Sequence, residues 1–193
     1  MSETQTILDN IRRRRTLPYK RMKTDPISEE HLNIILDAAN WAPTHRFTEP
    51  WRFHVFTGDG RHKFAQMLGR AYTDYIGEDF VQAKFDKTTT RPLHVPVSMA
   101  ISLKRHEVLP EYEEMLAVGC AAQNLFLAAT ALNIGSSWST PKYVDHPIVK
   151  DFLGLEDQDR CCGFLYLGYA VSEDCWPTTK RGPISEKITR VDS

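Results

Sequence analysis

The sequence lacks the features that mark several large classes of protein. No apolar run approaches the ~20 residues needed to span a bilayer, and the N-terminal stretch MSETQTILDNIRRRR contains no hydrophobic segment of signal-peptide type. The 24 basic and 25 acidic residues nearly cancel, so no overall field gathers nucleic acid or an anionic membrane surface. We therefore expect a cytoplasmic protein with no nucleic-acid partner and no membrane partner.

Motifs for disulfide, metal and hydrolytic chemistry are also missing. The four cysteines include no Cys-x-x-Cys pair, and the adjacent pair Cys161-Cys162 rarely suits either a disulfide or a zinc site. The sequence contains no Gly-x-Ser-x-Gly, no Walker loop and no His-Glu-x-x-His. These absences argue against a serine hydrolase, a P-loop nucleotidase and a metalloprotease.

The composition is that of an ordinary folded protein. The chain has 193 residues, of which 41% are hydrophobic and 25% charged, so a sizeable core can form and disorder is not indicated. The sequence contains no repeat, low-complexity tract or linker, and we expect one domain over residues 1–193.

Apolar periodicity predicts helices and strands in an irregular order. Helices are predicted over Thr4–Arg14, 29–40 after an N-cap at Ser28, Arg61–Ile76 and Glu111–Asn133, and strands from Trp51, over Val97–Lys104 and around Gly163–Gly168. Helices come first, strands are separated by helices of unequal length, and no Gly-rich turn follows a strand. This order predicts an α+β fold rather than a doubly wound sheet.

Punctuating residues predict several element boundaries. The two prolines of TTTRPLHVP are expected to end the helical pattern that continues to Lys87. Gly135 is the predicted C-cap of the long apolar helix. A last helix is expected to begin at an Asp145 N-cap and to end just before Gly154.

The run RRRRT, residues 12–16, is the first candidate site. Four guanidiniums and a hydroxyl at a helix end can bind a dianionic phosphate through charge-assisted hydrogen bonds. The run alone favours a solvated helix terminus that complements the helix dipole. A nucleic-acid patch is a third interpretation, weakened by the neutral chain and by the lack of a second basic block.

The loop APTHRFTEPWRF, residues 42–53, is the second candidate. Its proline-rich backbone can hold His45 and Glu49 in fixed directions beside Trp51, as recognition of a planar polar ligand requires. Taken by itself, packing at a helix–strand junction is the better interpretation of the loop. Two shorter segments, GSSWSTPKY and TTKRGPISEKI, offer hydroxyls and cations, and each alone is a turn or a tail.

In their joint order these segments resemble the FMN-dependent nitroreductase family, and in particular its short-chain subfamily with an Ala-Pro-x-His loop. The resemblance implies a central, mostly antiparallel sheet flanked by helices, in a dimer. It covers nearly the whole chain and rests on the following segments: Arg14-Arg15-Thr16 at the end of the first helix, Ala42-Pro43-Thr44-His45, Pro50-Trp51, Gly135–Thr140, GFLYLG at Gly163–Gly168, and a basic residue in the tail.

The resemblance implies FMN as cofactor, with NADH or NADPH as electron donor. Arg14, Arg15 and Thr16 match the signature that in the family grips the FMN phosphate and ribityl chain. Arg181 matches the tail residue that closes on the phosphate.

Five further residues match positions around the flavin ring. His45 and Glu49 match loop positions that approach the flavin from the same or the partner subunit. Trp138, Ser139 and Thr140 match the segment that lies along the isoalloxazine.

The sequence departs from the family pattern at two positions. Many members carry a Lys or Arg two residues beyond the Ser/Thr, placed to stabilise negative charge at N1 and C2=O of reduced flavin, but this chain has Pro18. Another cation, Arg15 or Lys20, must take that role if it is taken at all. Where relatives commonly present an amide, Glu49 can accept from the flavin N3–H but cannot donate.

The implied activity is ping-pong transfer of a hydride from NAD(P)H to FMN and then of electrons to a nitroaromatic or quinone acceptor. No side chain needs to be a general acid, because the cofactor performs the redox chemistry. A homodimer with FMN at each interface would explain the small residues of the long apolar helix.

Alternatives remain open. A lid around residues 72–91 would decide between this activity and specialised flavin chemistry such as dehalogenation, azoline oxidation or flavin breakdown. A flavin-binding protein without turnover would fit Pro18, and a nucleic-acid-binding protein would fit the arginine run.

Overall fold

The computed structural model describes residues 2–191. The helices are α1 (Glu3–Arg13), α2 (Glu29–Asn40), α3 (Gly60–Ile76), α4 (Gln82–His94), α5 (Glu111–Ala131) and α6 (Pro147–Leu153), and the strands are β1 (Trp51–Phe56), β2 (Val97–Leu103), β3 (Ile134–Ser139) and β4 (Arg160–Tyr169). Short 3₁₀ turns lie at Tyr19–Arg21, His45–Phe47, Gly77–Asp79, Glu173–Cys175 and Ile184–Lys187.

The strands form an antiparallel sheet in the order β1-β2-β4-β3. Alternate residues of each strand face opposite sides, so the sheet carries one hydrophobic cluster on each face. Helices α2 and α5 contribute to the cluster on one face, and α3 and α6 contribute to the cluster on the other. The prediction of an α+β fold with a mostly antiparallel sheet is confirmed.

Helix α5 is the central helix of the molecule. Its buried side chains follow a helical stripe through Ala117, Ala121, Leu125 and Ala129, and small residues let it lie close to the sheet. Among the described residues, α5 alone is long and apolar enough to cross a membrane, but half of that stretch is buried inside the structure. Its apolar character therefore fits a core helix.

Helix α1 lies on the outside of α5. The Asn10 side chain donates to Leu127 O (3.0 Å), and the Arg13 side chain donates to Thr130 O (2.6 Å). No residue of α1 is buried, although Ile7 and its apolar neighbours form a helical stripe. Within residues 2–191, no other part of the chain buries that stripe.

The prediction that the prolines of TTTRPLHVP end the helix was wrong. Helix α4 continues through Pro92 to His94. A proline in the last turn removes one N–H donor, and here Pro92 is buried. The Arg61 side chain also donates to Leu93 O (3.3 Å) and Val95 O (2.6 Å), which satisfies carbonyls at the end of α4.

Two capping predictions were also wrong. Asp145 does not cap α6, because its carboxylate accepts from Cys161 N (2.8 Å); the N-cap is His146, whose Nδ1 accepts from Ile148 N. Gly135 lies inside β3, where a Cβ would overlap the Leu17 side chain. Gly154 has the left-handed conformation expected just after α6.

Candidate functional site

The segment after α1 is anchored to the edge of the sheet. Thr16 forms a parallel bridge with Ser136 of β3, and Leu17 N donates to Ser136 O (2.9 Å). The Leu17 side chain is fully buried against Gly135. This anchor fixes where the arginine run leaves the helix.

The four arginines of the run have different environments. Arg12 pairs with a carboxylate one turn earlier in α1 (3.3 Å), and Arg13 holds the end of α5 through Thr130. Arg15 folds back and donates to the carbonyls of Arg12 and Arg14 (2.7 Å to Arg14 O). Of the run, Arg14 is the arginine that faces a cavity.

That cavity, called here the Arg14 cavity, has a volume of about 240 Å³. Its walls come from the segment after α1, from α5 and from β3, and are formed by Arg14, Thr16, Gly119, Gln123, Phe126, Ser136 and Trp138. Burial, followed by the nearby charges of Arg15 and Arg181, lowers the pKa of Arg14. In residues 2–191 no carboxylate lies within 4.0 Å of the Arg14 or Arg181 guanidinium, so this positive cluster is suited to an external anion.

Trp138 forms the aromatic wall of the Arg14 cavity. Its indole packs against Phe126 (ring centroids 5.9 Å apart), and its Nε1 donates to Cys162 O (3.2 Å). Gly163 permits this position, because a Cβ there would overlap Trp138 Nε1. The side chain is still 37% exposed, so one part of it is available to a ligand.

Ser139 and Thr140 follow Trp138 but lie in other surroundings. Ser139 lines a second cavity of about 220 Å³, called here the α4 cavity, whose walls include Lys87, Arg91 and Tyr143. Thr140 is exposed beyond the end of β3. The predicted segment therefore separates two cavities.

The loop before β1 has an unusual backbone and is attached to α5. Arg46, Phe47 and Glu49 all have positive φ, and Glu49 N donates to Thr44 Oγ1 (3.1 Å). His45 Nδ1 lies 2.7 Å from the Glu113 carboxylate, and this hydrogen bond is the main cause that lowers the Glu113 pKa. The loop presents its polar side chains to solvent from a fixed base.

The structure does not bring His45 and Glu49 to the Arg14 cavity of the same chain. His45 is held near Glu113, in the first turn of α5, whereas Gly119 and Gln123 of the cavity lie six and ten residues further along the helix, about 9 and 15 Å at the helical rise. The nine predicted residues thus do not form one site within a single chain. Arg14, Thr16 and Trp138 share one cavity, Ser139 lines the α4 cavity, and His45 lies near Glu113 in the first turn of α5.

Exposed apolar side chains lie on α1 and on the first turns of α5. We call them together the α1–α5 face: Ile7, Leu8 and Ile11 of α1 and Tyr112, Met115 and Leu116 of α5. Trp41 and Phe47, which are 80% and 89% exposed, add aromatic groups near the loop. Exposed apolar side chains in such number are characteristic of protein interfaces.

Comparison with known families decides which family this arrangement belongs to. The sequence model of the family described as Nitroreductase family matches residues 11–169, which include the Arg14 cavity, the loop before β1 and all of the sheet. The chain belongs to the nitroreductase family.

Nitroreductases from several bacteria resemble the chain. It is 32% identical over 141 residues to a protein of Escherichia coli K12 named "Putative NAD(P)H nitroreductase YdjA", covering 72% of this chain and 75% of the relative. The nitroreductase-like family protein of Bacillus cereus shares the fold with a TM-score of 0.82, at 24% identity over the whole of both chains. The FMN-dependent nitroreductase NfnB of Mycobacterium smegmatis, solved with NADPH, gives a TM-score of 0.76 at 21% identity, also over both whole chains.

Several residues around the candidate site were missed by sequence reasoning. Gln123 and Phe126 line the Arg14 cavity from α5, and Glu113 holds His45. Gln123 had one available signal, because it is a polar residue in a nearly all-apolar helix. The α4 cavity is lined by Ser139 and by several residues of the 72–91 segment expected as a lid, but its closure by β4 residues gave no sequence signal.

Proposed function

We propose that the protein is an FMN-dependent NAD(P)H oxidoreductase that reduces nitroaromatic or quinone-type acceptors. The observation that carries the proposal is a cavity lined by Arg14, with the charge of Arg181 nearby, whose other walls include hydroxyls, an amide and aromatic rings. A ligand with a dianionic head and a planar aromatic body matches both parts of this lining.

The donors at the Arg14 cavity fit the FMN phosphate and ribityl chain. Arg14 and Arg181 are assigned to the phosphate, where guanidiniums form strong charge-assisted hydrogen bonds. The Thr16 hydroxyl and the Gln123 amide can bond ribityl hydroxyls from the walls of the cavity. Arg15 is assigned to the helix terminus, because its guanidinium is already bonded to backbone carbonyls.

The segment Trp138–Thr140 is assigned to the ring of the cofactor. Trp138 supplies an apolar wall that Phe126 and the Cys162 carbonyl hold in place. Ser139 and Thr140 supply hydroxyls at the end of β3, where a heteroaromatic edge can be hydrogen-bonded. When bound, FMN would supply the redox chemistry, that is, acceptance of a hydride from NAD(P)H and delivery of electrons to the acceptor in a ping-pong cycle.

The residues of the loop before β1 are assigned to the site of a second copy. His45 is held at the first turn of α5, about 9–15 Å along the helix from the Gly119 and Gln123 walls, and neither His45 nor Glu49 lines the Arg14 cavity of its own chain. Two copies that pair their α1–α5 faces with the α5 helices antiparallel would bring one copy's loop to the other's cavity. The proposed assembly is therefore a homodimer with two FMN sites at its interface.

Cytoplasmic location is proposed together with this activity. The nearly balanced charge gives no preference for a membrane surface, and all four cysteines are free thiols. Burial raises the pKa of both Cys161 and Cys162 to about 12, so they stay protonated and unreactive in the core.

Anaerobic titration of the purified protein with NADH and NADPH, followed in the flavin absorption band, tests the proposal. We expect a yellow protein whose flavin band bleaches with one equivalent of donor and returns on addition of a nitroaromatic or a quinone. A yellow protein that neither donor bleaches would be a flavin-binding protein without turnover. A colourless protein that does not take up FMN would contradict the proposal altogether.

A further inference from the structure

The α4 cavity lies on the other side of β3 from the Arg14 cavity. Its floor is formed by Phe164 and Tyr166 of β4 and its outer wall by α4, whereas the Arg14 cavity lies against α5. The two cavities approach one another at the end of β3, where Trp138 lines one and Ser139 lines the other. A ligand that extends past this strand end can use both.

The α4 cavity is strongly basic. Lys84, Lys87 and Arg91 lie three and four residues apart, so one face of α4 carries all three towards the cavity. Within residues 2–191, none of the three has a carboxylate within 4.0 Å. Three cations without an acidic partner favour an electron-rich or anionic occupant.

Arg91 is the best-positioned of these cations. Its guanidinium carbon lies 5.4 Å from the centre of the Tyr19 ring and 5.2 Å from the centre of the Tyr166 ring, so two aromatic faces hold it. Its Nε is buried and has no hydrogen-bond partner in the described structure. A donor held in this way is ready for a ligand oxygen or nitrogen.

Arg91 contacts the residue next to the position where the chain lacks a charge. Tyr19, which packs on Arg91, directly follows Pro18, and the chain at Thr16–Leu17 runs alongside β3 towards the cavity. The two replacements considered from sequence do not fit as well. Arg15 also has a buried Nε without a partner, but its Nη1 is bonded to carbonyls at the end of α1 and it does not line the α4 cavity; Lys20 is an exposed residue of a 3₁₀ turn.

We propose that Arg91, with Lys87 beside it, binds the electron-rich N1–C2=O edge of the flavin and takes the role that a basic residue at position 18 would have. This assignment rests on the proposed function, since it requires FMN with its ring along Ser139. The aromatic lining of the cavity by Tyr72, Tyr143 and Tyr166 suits a planar heterocycle, and the cations suit an edge that gains negative charge on reduction.

The test compares the two-electron reduction potential of FMN in wild type, Arg91→Met and Arg91→Lys by spectroelectrochemical titration. Removal of the charge should weaken binding of reduced FMN about tenfold more than binding of oxidised FMN, which corresponds to a potential lower by about 30 mV. Arg91→Lys should keep most of the wild-type potential. Arg70→Met, which removes a charge from an exposed residue of α3 outside this cavity, should leave the potential unchanged.

A second-site variant separates the electrostatic role from a packing role. Adding Pro18→Lys to Arg91→Met should restore the potential, because it returns a cation to the same edge of the ring; a lost packing contact would not be restored in this way. If Arg91→Met does not fold, Lys87→Met should still lower the potential. The corresponding change in the affinity for reduced FMN relative to oxidised FMN should be smaller than tenfold.

Three outcomes would overturn the assignment. An unchanged potential in a folded, FMN-loaded Arg91→Met protein would show that Arg91 does not bind the flavin edge. An unchanged potential together with a loss of kcat/KM for 4-nitrobenzoate but not for nitrobenzene would assign the cations to an acceptor carboxylate instead. If the wild-type protein does not bind FMN, the proposed function is rejected and this assignment with it. The first two outcomes require FMN-loaded protein, so this third outcome is distinguishable from them.

Discussion

Arg14 is the single residue on which the proposed site depends most, because the other arginines of its run have structural partners. We expect Arg14→Ala and Arg181→Ala each to weaken FMN binding roughly 10- to 100-fold, since each removes a charge-assisted contact worth about 1.5–3 kcal/mol. Fluorescence titration of the apoprotein with FMN measures the change. Arg12→Ala is the matched control and should bind FMN as wild type does; unchanged affinity in both test variants would disprove the phosphate assignment.

Gly163 is required by the position of Trp138. Its φ of 144° is rare for residues with a side chain, and a Cβ would overlap the indole nitrogen. We expect Gly163→Ala to cost about 1–3 kcal/mol of unfolding free energy and to displace Trp138, so that FMN binding weakens as well. Chemical denaturation and FMN titration test this, with Gly60→Ala as control because a Cβ there makes only ordinary contacts. Wild-type stability in the Gly163 variant would mean that the indole is free to move.

At the residue scale, local signals predicted part of the site and tertiary contacts decided the rest. Arg14, Thr16 and Trp138 could be predicted because each belongs to a recognisable short segment. The environment of each guanidinium could not, since it depends on which carbonyls α1 and α5 leave available. Arg91 gave no signal, because its partners Tyr19 and Tyr166 are more than seventy residues away on either side.

At the element scale, boundaries set by local chemistry were predicted and boundaries set by packing were not. Ser28 caps α2 by accepting from His31 N, a contact three residues away that the sequence shows directly. Pro92 remains within α4 because Arg61, thirty residues earlier, supplies donors to the end of that helix. Asp145 is unavailable as a cap because a backbone N–H of β4 has taken its carboxylate.

The buried carboxylate of Asp159, just before β4, holds the segment that follows β2. Its burial favours the neutral acid, but backbone N–H donors of Arg105 (2.9 Å) and Glu156 (3.1 Å), with the Lys104 side chain, outweigh burial and lower its pKa. A lowered folded-state pKa means that this stabilisation is present above the unfolded value of about 4 and is lost as pH falls through the folded value.

Asp159→Asn should therefore cost about 1.5–3 kcal/mol at pH 7 and reduce the fall in stability below pH 4. Urea unfolding of both proteins from pH 3 to pH 7 measures the difference. Asp157→Asn is the control, because that exposed side chain makes none of these contacts. Parallel stability curves for wild type and Asp159→Asn would show that the carboxylate has no such role.

At the scale of the whole molecule, the α1–α5 face predicts self-association. We expect sedimentation at low micromolar concentration to give about twice 22.2 kDa. Leu116→Asp places a charge on this face and should give a monomer that has lost FMN, because the face and the cofactor site are formed together. Val81→Asp adds the same charge at an exposed apolar residue outside the face and should remain dimeric. A monomeric wild-type protein with bound FMN would contradict the packing argument.

The central claim is that one chain supplies Arg14 and a second supplies His45 to the same FMN site. Mixed dimers of an Arg14→Ala copy and a His45→Ala copy, isolated with two different affinity tags, test it most directly. One site of such a dimer carries both substitutions and the other carries neither, so we predict one tightly bound FMN per mixed dimer, whereas both parent homodimers bind FMN weakly. If each mixed dimer instead binds no FMN tightly, or binds two FMN molecules with equal affinity, the two residues do not act across the interface and the shared site is wrong.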